Sequence, residues 1–127
     1  MRKEVEAWWK QAKRDMMSAE NALRSGDYYL VAFLCQQSVE KGLKALYIKK
    51  LRESPGTVHS LLFLGKSTGV PEKFYSTLRR LSPDFIITRY PDAANGLPYE
   101  LYDEEIARER INLAKKVIEW IERELER

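Results

Sequence analysis

Apolar residues recur at three- and four-residue steps through the first two dozen positions, at Val5, Trp8, Ala12, Met16, Ala19 and Leu23. That spacing puts one apolar stripe on an α-helix and predicts a helix from near Arg2 to Arg24, stopped by Ser25 and Gly26. A second helix is predicted from near Asp27 to about Arg52, ended by Ser54, Pro55 and Gly56. At about 100° per residue, Tyr29, Ala32, Phe33, Val39, Leu43, Leu46 and Tyr47 share one of its faces. Leu30, Val31, Leu34 and Cys35 lie opposite, so its first half should be covered on both sides, while Ser38, Gly42 and Ala45 flatten the second face further along. A shorter helix is expected from His59 or Ser60 to Lys66, then another with Pro71 in its first turn and Phe74, Leu78 and Leu81 inward. The last helix opens at Asp103, a capping residue followed by Glu104 and Glu105, which suit the positive end of the helix dipole. Ile106, Ala107, Ile111, Ala114, Val117, Ile118, Ile121 and Leu125 form its stripe.

Long helices with short connections imply an all-α fold, an antiparallel up-and-down four-helix bundle with one additional short helix, in a single domain over residues 1–127. Residues 82–102 interrupt the pattern with Pro83, Pro91, Gly96 and Pro98. Phe85, Ile86, Ile87, Tyr90, Leu97, Tyr99, Leu101 and Tyr102 are too apolar for a linker, so this segment is expected to be a long ordered loop lying over the bundle.

The second helix also breaks its own pattern. Gln36 and Glu40 project from the middle of its apolar face, and a carboxylate left unpaired in a core costs several kcal/mol or must protonate. A cation is therefore required from elsewhere. Arg110 falls inside the apolar arc of the last helix and is the expected partner, with Arg89 as the alternative; Asp15, at the edge of the first stripe, is a second acid for the same cluster. Asp15, Gln36, Glu40 and Arg110 are thus read as a buried polar network that fixes how the helices register.

Charge and cysteine content narrow the function classes. Twenty-two Lys and Arg against nineteen Asp and Glu leave a net charge of +3 with the signs interleaved, a weak electrostatic case for nucleic acid. Cys35 is the only cysteine, which excludes a disulfide within one chain and reads as a core residue. No apolar run reaches the length of a membrane span and the N-terminal pattern is charged, so a cytoplasmic protein is expected. His59 is the only histidine, so no multi-histidine metal site forms within one chain. No Gly-rich phosphate loop or paired-aspartate nucleotidyltransferase motif is present, and no cofactor is implied. The two-sided apolar character of the second helix, with Leu113 and Trp120 off the main stripe of the last, leads to the expectation of a homodimer.

Three motifs carry a resemblance. Residues 36–46 (QQSVEKGLKAL), His59-Ser60-Leu61 and Arg89-Tyr90-Pro91-Asp92, at these intervals, resemble a HEPN domain, the small helical module tied to nucleotide and RNA biology. The chain resembles the small stand-alone prokaryotic members, some of which pair with a minimal nucleotidyltransferase as toxin and antitoxin. The resemblance implies a binding and interaction module for a nucleotide or RNA, with Lys41, Lys44, His59, Arg89 and Tyr90 as candidate contacts: cations for phosphate and a ring for stacking. Nuclease members carry an Arg, four to six residues, then a His at the start of the last long helix. Here Arg108 and Arg110 occupy that region and no His follows. Arg52 and His59 have the spacing but span the loop after the second helix, so no catalytic residue is assigned. A metal-independent ribonuclease toxin is the alternative.

Overall fold

A computed structural model describes residues 2–127. The chain is helical, with α1 at Lys3–Ser25, α2 at Tyr28–Leu51, α3 at Leu61–Thr68, α4 at Tyr75–Leu81, α5 at Asp84–Ile87, α6 at Pro91–Ala94, α7 at Pro98–Leu101 and α8 at Glu104–Leu125. A single 3-10 turn, Glu72–Phe74, leads into α4. α1 runs up and α2 down, joined through Gly26, whose φ of 79° is the left-handed cap geometry that favours glycine. Contacts at both ends fix α8 parallel to α2: Tyr28 lies by Glu104 at one end, and Lys50 pairs with Glu124 at the other. The chain after α2 climbs back beside it to His59, descends as α3 and rises as α4. The expected up-and-down bundle is therefore formed by α1, α2, α8 and the short antiparallel pair α3 and α4, with Thr68 at the end of α3 by Lys50 and Ser82 after α4 by Leu61.

α2 is the central element. Its Gly42 is where neighbours approach most closely, since a Cβ there would lie 3.1 Å from Ile121 and 3.3 Å from Ile118 on α8, and 3.6 Å from Trp9 on α1. Ser38 donates to the Ala12 carbonyl at 2.7 Å. The flat Ser38, Gly42 and Ala45 face is thus used inside the chain. This corrects the motive for a dimer, because one chain supplies enough helices to cover both faces of α2, and Leu113 and Trp120 pack against the same core. On α1 the buried tryptophan is Trp9 rather than Trp8, which is only partly covered.

Residues 82–102 are corrected too. The expected loop is a string of three one-turn helices, α5 to α7, and the prolines begin two of them: Pro91 and Pro98 occupy first-turn positions, where a missing N–H costs nothing. Ser60, rather than His59, caps α3 by accepting from the Phe63 amide. The Asp103 side chain caps α8 as expected, accepting from the Ile106 amide at 2.9 Å.

Candidate functional site

The polar residues expected to form one buried network form three. Asp15 of α1 accepts from Lys41 of α2 at 2.7 Å and from Gln11 at 2.9 Å. Glu40, its side chain only 4 % exposed, accepts from Gln36 at 3.0 Å and Lys44 at 3.0 Å, and His59 Nδ1 lies 3.1 and 3.2 Å from its two oxygens. Arg110 belongs to neither. Its Nε donates to Asp84 of α5 at 2.6 Å, the hydroxyl of Tyr102 donates to the other Asp84 oxygen at 2.6 Å, and its Nη1 reaches Glu109. The expected pairing of Glu40 with Arg110, or with Arg89, is therefore overturned. Glu40 is neutralised from its own helix, one turn on, by a spacing that favours such pairs.

The Asp84 group lies in the interior and reaches the surface at Glu109, which is 44 % exposed and also accepts from Arg80. Asp84, Arg110 and Tyr102 are all buried. Burial pushes the Tyr102 hydroxyl well above its ordinary range, and its bond to Asp84 adds to that. For Arg110, burial works against the charge, but the hydrogen bond and charge of Asp84 outweigh it and the guanidinium is held protonated. Nearby Cys35 is buried, and its thiol is pushed up to about 12, chiefly by desolvation, leaving almost no nucleophilic thiolate at neutral pH.

The Glu40 group opens to the surface instead. His59 is 47 % exposed at its side chain and stacks on Phe85 of α5, with ring centroids 4.0 Å apart and planes at 17°. Phe85 also stacks on Phe33 at 6.4 Å. The Arg89 guanidinium lies 5.0 Å from the Phe85 ring, 5.3 Å from Tyr90 and 5.8 Å from Phe33. Arg89 and Tyr90 are exposed, and none of the ion pairs among the described residues uses Arg89. An arginine spread over aromatic faces keeps its N–H edges for an anion while its plane is held in place.

Of the five expected contact residues, the structure brings His59, Arg89 and Tyr90 onto one surface. Lys41 is engaged by Asp15, and Lys44 is buried between Glu40 and the Trp8 ring, 5.4 Å from its centroid. Phe33 and Phe85, which hold that surface together, escaped the sequence reading of the site. Phe33 looked like ordinary stripe and Phe85 sat in a segment without periodicity. Arg52 caps the far end of α2, twelve residues or roughly 18 Å along the axis from Glu40, so it does not join His59.

The HEPN domain model matches residues 5–124. The chain belongs to the HEPN domain family. Its fold is similar to TT1696 from Thermus thermophilus, with 30 % identity, a TM-score of 0.87 and 97 % of this chain covering 99 % of that one. It is also similar to ST0689, described as an archaeal HEPN homologue, with 38 % identity, a TM-score of 0.80 and 95 % of this chain covering 97 % of that one. No curated protein matches the chain. Among the described residues no helix is long and apolar enough to cross a membrane.

Proposed function

We propose that this HEPN domain is a binding module that holds a nucleotide or single-stranded RNA on the face formed by His59, Arg89 and Tyr90. The observation that carries this reading is an unpaired, exposed Arg89 set against Phe33, Phe85 and Tyr90 beside an exposed histidine ring. A guanidinium contacts phosphate through its N–H edge while neighbouring rings offer stacking surface for bases. Lys44 acts from beneath by neutralising Glu40, which would otherwise repel the ligand. Binding of a labelled oligoribonucleotide should weaken as salt is raised, and Arg89→Ala should weaken it about tenfold or more. Salt-independent binding, or full affinity in Arg89→Ala, would contradict the site.

One observation favours a second reading, metal-independent ribonuclease activity. Glu40 holds His59 by Nδ1, the way a carboxylate orients a histidine general base. Cleavage abolished by both His59→Ala and Arg89→Ala would establish it. Resemblance to small stand-alone members adds a minimal nucleotidyltransferase as partner, which would supply any transferase chemistry; co-expression and co-purification test that. A homodimer belongs to the same reading. Its apolar contact would come from Ile86, Leu97, Tyr99 and Leu101, all exposed between α5 and α7, and a monomeric mass at micromolar concentration would contradict it.

A further inference from the structure

Within the Glu40 group the charges can be counted. Glu40 and Lys44 cancel, and Gln36 is neutral. A carboxylate only accepts hydrogen bonds, so the His59 Nδ1 facing it must carry a proton. In the neutral ring Nε2 is then a lone pair, on an imidazole half exposed at the surface and stacked on the Phe85 ring that Arg89 also lies against. An anion placed against that lone pair is repelled. A second proton changes this, because Nε2 becomes an N–H donor and the group gains a positive charge next to the guanidinium.

The charged and titratable groups around His59 are Glu40, with Lys44 behind it, from α2, and Arg89 and Tyr90 beyond α5 across Phe85. Glu40 attracts a cationic ring, and Lys44 and Arg89 repel one. A bound anion tips the balance by screening both cations. Resting on the nucleotide reading above, we infer that ligand binding is proton-linked: the site takes up a proton on His59 as it takes a phosphate or phosphodiester anion at Nε2, on the aromatic cluster that also carries Arg89. Glu40 is the positioning residue that keeps Nδ1–H inward and Nε2 outward. The sign follows from linkage. The bound state carries the extra proton, so affinity rises as pH falls.

The test uses a labelled thymidine hexanucleotide, whose phosphodiesters keep a constant charge over the pH range and which has no 2′-hydroxyl to react. At fixed ionic strength the wild type should bind it about tenfold more tightly at pH 5.5 than at pH 8. Calorimetry in buffers of different ionisation enthalpy should show net proton uptake near neutral pH. His59→Gln should abolish the pH dependence, and Glu40→Gln should move it to lower pH, both with cooperative thermal unfolding retained. Salt-sensitive binding of equal strength at both pH values would overturn the proton linkage and leave the binding reading standing. An unchanged pH profile in His59→Gln would also overturn it. No binding at any pH would overturn both.

Discussion

Two of the three buried acids among the described residues, Glu40 and Asp84, sit in comparable surroundings and end differently. Asp84 meets Arg110 and Tyr102, all three buried, and its oxygens are taken up by partners that do not change charge near neutral pH. Glu40 meets Gln36 and Lys44 below, but its last partner is His59, a titratable ring open to solvent and stacked among aromatics beside an exposed arginine. The first arrangement ties α5, α7 and α8 together. The second leaves one polar end facing outward. The difference teaches that a buried charge becomes a candidate site only where its network reaches the surface through a group able to change state.

The largest expected effect breaks the Asp84 side. Arg110→Ala leaves Asp84 buried without its cation and should lower the unfolding free energy by about 3–5 kcal/mol, measured by urea titration. Lys44→Met makes the parallel change at Glu40 and should cost less, about 2 kcal/mol, because Gln36 remains and His59 is able to supply a charge. A loss as large as that of Arg110→Ala would erase the distinction. Tyr102→Phe is milder, about 1 kcal/mol, and has its own pH signature. The folded state holds the Tyr102 hydroxyl protonated above its ordinary value of 10.0. Above that pH the unfolded chain releases the proton first, so stability falls as pH rises. Cys35 acts in the same direction between 9.0 and about 12. Tyr102→Phe should therefore flatten, without removing, the alkaline decline seen by circular dichroism.

Much of this comparison was visible in the sequence, but not its pairing. Helical spacing located α1, α2 and α8 within a residue or two, and Asp103 marked the start of α8 because its cap is local chemistry. Glu40 and Arg110 stood out for the right reason, as charges inside apolar arcs. Two such charges suggest a pair, but Lys44, four residues from Glu40, is where a helix brings side chains together. Asp84 could not be found in this way. One-turn helices have no periodicity to reveal which side is buried, and Pro91 and Pro98 read as breaks when they are beginnings. The surface of His59, Arg89 and Tyr90 was half legible. Its polar members carried the motifs, whereas Phe33 and Phe85, which set their geometry, have no signature apart from being apolar.

His59→Ala tests the distinction most directly, with unfolding free energy and oligonucleotide affinity measured on the same preparation at pH 6. An open, ligand-facing end predicts a stability change under about 1 kcal/mol, because the ring is half exposed, together with about a tenfold loss of affinity. A stability loss above about 3 kcal/mol with affinity unchanged would contradict the account, since it would make the Glu40 group as structural as the one around Asp84.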